Sequence, residues 1–272
     1  MDLFSVKVGW YDAKCRLFKW YRTVKNRFSP PKLSKFLFIL CPPYSGSTLL
    51  HEIICTSPVV SPNNVFGTRE GQSLPEVRRL IEYTKRWEPE YPYPWEAIKA
   101  AWMPYWEHSK LLLLDKSPPN TFRAKAIQHH FDPSVFIVLT RNPYVLCESL
   151  MRKNKLSAGE SAGIVVRFLT YQKMNLEQLS ETLLIRYEDL VAHPDSIKEN
   201  LLGFLPELSA ISVHKKFKGH NKDKQKIPVT DLNIGKIEKI KDQEMEEINA
   251  VFSLYGALFS YFSYTLIHEA DR

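Results

Sequence analysis

The sequence predicts a single α/β domain, with a parallel β-sheet flanked by helices on both faces. Three observations carry this reading. Four short apolar runs, at residues 36–40, 111–114, 135–139 and 182–186, have the length of buried strands. Segments of helical length lie between them, and strands alternating with helices build a parallel sheet. At 272 residues the chain supplies one such domain with a full core.

Residues 1–35 precede the first run and read as a basic amphipathic arm, distinct from a domain over 36–272. They hold nine Lys or Arg against Asp2 and Asp12, so the whole net charge of +7 resides there. The remaining 28 cations meet 28 acids, and a body without net charge argues against nucleic acid as a partner. Trp10, Leu17, Tyr21, Val24 and Phe28 recur at roughly helical spacing, with Lys14, Arg16, Lys19, Lys25 and Arg27 between them. Such a helix either meets anionic lipid or an acidic partner, or packs its aromatic face on the body. The pattern alone allows both. Ser29, Pro30 and Pro31 end it.

Cys15, Cys41, Cys55 and Cys147 show no C-x-x-C or metal spacing, so free thiols in a reducing compartment and no metal are expected. The apolar residues at the N-terminus are interrupted by charge, unlike a signal peptide. These features predict a cytoplasmic protein, with peripheral membrane contact through residues 1–30 on the lipid reading. The uncharged run 248–267 has about the length of a membrane span. Its Asn249, its serines and Gly256 favour a buried helix ending near Gly256, then a terminal core segment.

The first apolar run, FLFIL, is stopped by Pro42 and Pro43. Small hydroxylated residues, Ser45 to Thr48 around Gly46, then lead into an apolar helix start at 49–55. A strand, a tight turn and a helix N-terminus make an anion site, because the first-turn N–H groups are free and the helix dipole favours negative charge. Gly46 lets the backbone approach a phosphate, and Ser47 and Thr48 add hydroxyl donors. Residues 56–68 read as a polar, Pro-rich loop, followed by a helix over 76–85. Residues 87–106 carry Trp87, Tyr91, Tyr93, Trp95, Trp102, Tyr105 and Trp106; about half of these rings are expected in the core and the rest on an acceptor pocket. The later strands end in Lys116, Arg141 and Tyr187, with helices over 120–130, from Pro143 to about Lys153, and over 160–179. In parallel sheets ligands sit at the carboxyl ends of the strands, where all these residues fall.

The turn has no Lys after its glycine, so it is not the G-x-x-x-x-G-K-[ST] phosphate loop. Its form, P-x-S-G-S-T-L-L, instead resembles the 5′-phosphosulfate loop of sulfotransferases that use PAPS (3′-phosphoadenosine 5′-phosphosulfate). Arg141 and Ser149, spaced R-x7-S after a strand, look like that family's 3′-phosphate site, and Lys153 matches a basic position some members also use. The segment LLIRYEDLV is similar to the one supplying an adenine-side tyrosine, here Tyr187. LDKSP resembles the strand end with an active-site lysine, here Lys116. TREGQSLPEV is similar in position to the segment with a glutamate base in tyrosylprotein sulfotransferases, here Glu70. A carboxylate base there needs desolvation by the acceptor to raise its pKa.

The resemblance therefore implies a P-loop NTPase-like sulfotransferase fold, nearer the tyrosylprotein and bacterial type than the cytosolic aryl type. It implies transfer of a sulfuryl group from PAPS to a hydroxyl or amine, with PAP released. Tyr44, Ser45, Gly46, Ser47, Thr48 and Leu49 would hold the 5′ end. The acceptor stays open among small molecules, glycans, lipids and peptides.

Two positions depart from the family. Tyr44 stands where many members have Lys or Arg, and a phenol carries no positive charge at neutral pH. The R-K-G-x-x-G-x-W-K cover loop of the cytosolic branch is missing; residues 215–228 hold six Lys instead, of which Lys222 or Lys226 is expected over the nucleotide. A catalytically weak or silent PAP-binding protein and a P-loop kinase-like nucleotide enzyme remain as alternatives.

Overall fold

The computed structural model describes residues 3–218 and 226–267. In chain order the elements are α1 (Leu3–Phe28), β1 (Lys35–Leu40), α2 (Ser47–Ile54), β2 (Val60–Pro62), α3 (Pro75–Leu80), α4 (Trp95–Trp102), β3 (Leu112–Asp115), α5 (Ala124–His130), β4 (Ser134–Thr140), α6 (Pro143–Asn154), α7 (Ala158–Gln178), β5 (Thr182–Arg186), α8 (Tyr187–Ala192), α9 (Pro194–Phe204), β6 (Phe217–Lys218), β7 (Lys226–Ile227), α10 (Asp242–Phe252) and α11 (Gly256–Tyr261). The main sheet runs β2-β3-β1-β4-β5, and every pairing in it is parallel. All four predicted apolar runs are strands of this sheet.

Strand alternation divides the core. Successive side chains leave a strand on opposite faces. Leu37 and Ile39 therefore join Leu114, Ile137 and Leu139 beneath α2, α8 and α9, while Phe36, Phe38 and Leu40 join Phe136, Trp102 and Phe131 beneath α4 and α5. Each fully buried aliphatic or Phe side chain stabilises the fold by roughly 1.5–3 kcal/mol relative to exposure. That is why the central strand β1 reads as a continuous apolar run rather than an alternating one. A third cluster joins α6 and α7 to α10 and α11.

Several boundaries differ from expectation for identifiable reasons. The predicted loop over 56–68 contains β2, a three-residue edge strand paired with β3; Pro62, which lacks an N–H, sits at its end on the sheet edge. The helix predicted over 76–85 stops at Leu80, and a separate 3₁₀ turn covers Tyr83–Trp87. The run 248–267 is split, because α10 ends at Phe252 and Gly256 begins α11 rather than closing a helix. Among the described residues no helix is long and apolar enough to cross a membrane. Of the aromatic stretch, Tyr93, Trp95, Trp102, Tyr105 and Trp106 are all buried in the core.

Helix α1 packs one face on the body. Cys15 is fully buried, Phe18 meets Phe66 edge-on, and Tyr11 Oη accepts a hydrogen bond from Asn64 Nδ2 at 2.9 Å. Arg22 and Lys25 both pair with the buried carboxylate of Glu107, and Arg78 pairs with Asp12. Burial pushes the Glu107 carboxyl up, but the hydrogen bond from Lys25 and the charges of Lys110 and Arg22 outweigh it, leaving it below the ordinary carboxylate range. The opposite face of α1 keeps its large apolar side chains exposed, so a single helix satisfies the packing pattern and the surface pattern together.

Candidate active site

The sheet order decides where the chemistry assembles. β1 lies between β3 and β4, so the loop after β1 sits between the strand ends that carry Lys116 and Arg141. The chain turns through Gly46 at φ 83°, in the left-handed region. A Cβ at this position would stand 2.4 Å from Cδ2 of Tyr187, so glycine is required by close approach as well as by backbone angle. Tyr44 is also left-handed, at φ 65°, a costly state for a bulky residue. Two bonds hold it there: Arg141 Nη1 donates to its carbonyl at 2.7 Å, and its hydroxyl donates to Asn154 Oδ1 at 2.6 Å.

A cleft of about 850 Å³ opens at these strand ends. Its walls bring together the loop residues Tyr44, Gly46, Ser47, Thr48 and Leu49 with Glu70, Lys116, Arg141, Ser149, Lys153 and Tyr187. The N–H of Leu49 is used within the turn, donating to Gly46 O at 2.9 Å. Ser45 is fully buried beneath the loop and is not on the wall. Lys226 is exposed on β7 and off the wall, although its neighbour Ile227 and the paired strand's Phe217 line it. Lys222 lies outside the described residues.

One corner of the cleft is cationic. Arg141 is buried, and its Nε donates to Asn233 Oδ1 at 2.8 Å. Its Nη2 is buried with no hydrogen-bond partner. Lys236 Nζ donates to Ser149 Oγ at 3.0 Å, and Ser149 Oγ donates to Glu148 Oε2 at 3.2 Å. Burial and then the charge of Arg141 pull the Lys236 ammonium down to about 8, against the upward pull of Glu148. A buried guanidinium edge without an acceptor, beside an ammonium 3.8 Å from Glu148 Oε2, suits an anionic ligand. Lys236 and Asn233 supply side chains at this corner, while Lys226 lies off the cleft wall and Lys222 outside the described residues. The segment is fixed by Tyr187, whose hydroxyl donates to Thr230 O at 3.3 Å and accepts from Leu232 N at 3.0 Å. Over the Tyr187 ring lies the Arg141 guanidinium, 4.1 Å from its centroid.

At the other end, Lys116 and Glu70 meet. Lys116 Nζ stands 3.6 Å from Glu70 Oε1 and donates to Thr68 O at 2.6 Å. The side chain of Lys116 is almost fully buried, at 3% exposure, against 18% for Glu70. Gly71 fixes the Glu70 backbone by donating its N–H to Asp115 Oδ1 at 2.9 Å. Asp115 also accepts from Asn63 and Asn120; burial still pushes its carboxyl up to about 6. His51 is buried on α2 beside Cys55, off the cleft wall, and burial followed by the charges of Lys116 and Arg69 holds it well below its ordinary pKa.

Beyond Glu70 the wall turns aromatic. Tyr83, Arg86, Trp87 and Phe168 line it, with the Arg86 guanidinium 3.8 Å from the Tyr83 ring centroid and Trp87 edge-on to Phe168. Of the aromatic stretch at 87–106, Trp87 alone reaches the cleft wall among the described residues. Buried Arg123 holds this loop by donating to the carbonyls of Arg86, Glu88 and Tyr91. Sequence reasoning passed over Lys236, Asn233, Tyr83 and Arg86. A glycine directly before Lys236 in an unpatterned stretch was the one available signal. Among the described residues no cluster of His, Cys, Asp and Glu has the arrangement of a metal site.

Comparison with known proteins agrees with this fold. The fold is similar to that of a sulfotransferase domain from the curacin biosynthetic pathway, at 20% identity and a TM-score of 0.54, over 87% of this chain and 100% of that one. It is similar to sulfotransferase STF9 from Mycobacterium avium, at 11% identity and a TM-score of 0.56, over 89% and 80% of the two chains. A sulfotransferase from Alicyclobacillus acidocaldarius aligns at 14% identity and a TM-score of 0.52, over 85% and 96%. No curated protein sequence matches the chain. Residues 37–208, which contain the loop after β1, Glu70, Lys116, Arg141, Ser149 and Tyr187, match the profile of the sulfotransferase family, and the chain belongs to that family.

Proposed function

We propose that this chain moves a sulfuryl group from PAPS to a hydroxyl or amine of an acceptor seated between Trp87, Phe168 and Glu70. The observation that carries the reading is the buried, unpartnered Nη2 of Arg141 in the corner lined by Ser149 and Lys236. These groups fit a terminal phosphate, which accepts several charge-assisted hydrogen bonds at once. Arg141, Ser149 and Lys236 would hold the 3′-phosphate, and residues 46–48 at the start of α2 the 5′ end. PAPS supplies, when bound, an activated sulfuryl group on a phosphate leaving group.

The chain's own residues supply the rest. Lys116, buried at the end of β3 on the cleft wall it shares with residues 46–48, would place its ammonium near the leaving oxygen as that oxygen gains negative charge. Tyr44 adds no positive charge there, because a phenol is neutral, and its hydroxyl is committed to Asn154. Glu70 faces the acceptor side and takes the acceptor's proton as general base. Its ion pair with Lys116 orients the carboxylate, so proton removal and charge neutralisation are managed by one pair. With the family established, the kinase-like alternative falls away.

A thermal-shift series with PAP, AMP and ATP tests the reading. PAP should raise the melting temperature most, because AMP lacks the 3′-phosphate that Arg141 and Ser149 read. Equal shifts for PAP and AMP would overturn the assignment of the corner. Stabilisation by PAP without transfer to any acceptor would mark a silent nucleotide-binding protein.

A further inference from the structure

We propose that the outward face of α1 docks the protein on an anionic membrane surface. At 100° per residue, Trp10, Leu17, Tyr21 and Phe28 fall within about 40° of one another on the helix. Trp20, Ala13 and Val24 extend the same face. Trp10 is 68% exposed, Leu17 66%, Trp20 64%, Tyr21 52% and Phe28 84%. The stripe runs about 27 Å along the helix, and Leu33, beyond the helix end, is 91% exposed as well. Single exposed apolar residues are ordinary on a protein surface. A continuous aromatic stripe is not, and it marks a surface meant for contact.

The charges agree with a lipid partner. Arg16 and Arg27 border the stripe on one side and Lys14 on the other, and all three are exposed. The one acid between residues 8 and 28, Asp12, is held by Arg78 on the packed face. Aromatic rings between two cationic borders suit a headgroup layer, where rings enter the acyl boundary and long basic side chains reach back to phosphates. The inner face of α1 is already bound to the body through Cys15, Phe18 and the Glu107 pairs, so the outer face is not an unfinished internal contact. An acidic protein would need the cations but not the rings between them.

Docking also bears on the cleft. Tyr11 on α1 accepts from Asn64 Nδ2, and the same nitrogen donates to Glu70 O at 2.7 Å. The membrane helix thus braces the segment that carries the acceptor-side carboxylate.

Sedimentation of the full chain with vesicles tests the proposal. Binding is expected to vesicles of phosphatidylcholine with phosphatidylserine, to weaken with added salt, and to be slight with phosphatidylcholine alone. Joint replacement Lys14→Gln, Arg16→Gln and Arg27→Gln should weaken it at least about tenfold, and Trp10→Ala, Trp20→Ala and Phe28→Ala together by about 100-fold. Brominated lipid should quench the tryptophan fluorescence of the native chain, and Trp10→Phe with Trp20→Phe, near-isosteric at exposed positions, should abolish that quenching. This second readout decides the matter even if a triple variant folds poorly. No binding to the anionic vesicles, or quenching unchanged by the Phe replacements, would overturn the proposal. Binding to soluble polyglutamate with indifference to vesicles would overturn it in favour of an acidic protein partner.

Discussion

Lys116 Nζ and Glu70 Oε1 lie 3.6 Å apart, joining the end of β3 to the loop after β2 across the floor of the cleft. Both side chains line the cleft wall, Lys116 from the end of β3 and Glu70 from the segment that leads to Tyr83 and Trp87. The chemistry proposed above uses one cation and one carboxylate side by side on that wall.

Glu70→Gln keeps the shape of the side chain and removes its basicity. Turnover should fall by about 10²–10⁴-fold, the usual scale for a lost general base, while PAP affinity changes little. Lys116→Ala should lower turnover at least as far, since stabilising a developing oxyanion is often the largest single contribution to catalysis. Single-turnover transfer from labelled PAPS measures both. Near-normal turnover in Glu70→Gln would remove Glu70 from the base role.

Arg141→Ala should weaken PAP by roughly 2–5 kcal/mol, the range for truncating a buried charged hydrogen-bond partner. AMP, which has no group for that corner, should lose less. Calorimetric titration of both nucleotides into both proteins gives the comparison. An equal loss for AMP would show that Arg141 acts by holding Tyr44 O rather than by reading phosphate.

Lys236, pulled down to about 8 in the free protein, predicts a pH dependence of binding. Below pH 8 the ammonium is already charged, and an arriving phosphate meets it at full strength. A bound phosphate raises the pKa again, so above pH 8 binding must take up a proton and affinity falls as pH rises. Lys236→Met should bind PAP more weakly at pH 7 and show a flatter profile between pH 7 and 9, about one unit either side of that value. Titration in two buffers of different ionisation enthalpy reports the proton uptake directly.

Gly46→Ala should cost stability, about 1–3 kcal/mol for the left-handed backbone with the clash against Tyr187 in addition. Tyr187→Ala should be destabilising alone, yet the double variant should be less destabilised than the sum, because the missing ring leaves room for the new methyl. Urea unfolding of the four proteins closes the cycle. Strict additivity would show that the ring contact carries no coupling.

Deleting residues 1–30 should destabilise the fold by several kcal/mol rather than trim a loose arm. Glu107, almost fully buried, would lose Arg22 and Lys25 and keep only Lys110 at 3.6 Å among its described ion-pair partners. Breaking a buried pair on one side typically costs about 3–5 kcal/mol. Thermal melts of the full and shortened chains provide the test.

Much of this architecture is legible in the sequence because it is written locally. A buried parallel strand must be a short apolar run, so FLFIL, LLLL, VFIVL and TLLIR announce themselves. In such a sheet the carboxyl ends of the strands hold the ligand site, which places Gly46, Lys116, Arg141 and Tyr187 together from the sequence alone. β2 escaped because three residues ending in Pro62 carry no period.

Only the tertiary structure decided the remainder, and the physical reason is distance along the chain. Lys236 reaches Ser149 across 87 residues, Asn233 reaches Arg141 across 92, and Leu232 reaches Tyr187 across 45, in a stretch without helical or strand periodicity. Periodicity records which residues are apolar, not what they face. It therefore sees Trp87, Trp102 and Trp106 as equal, although the first lines the cleft and the others fill the core. The same limit applied to α1: its sequence shows one amphipathic helix, while the docking of Cys15 and Phe18 on the body determined which face was left outside.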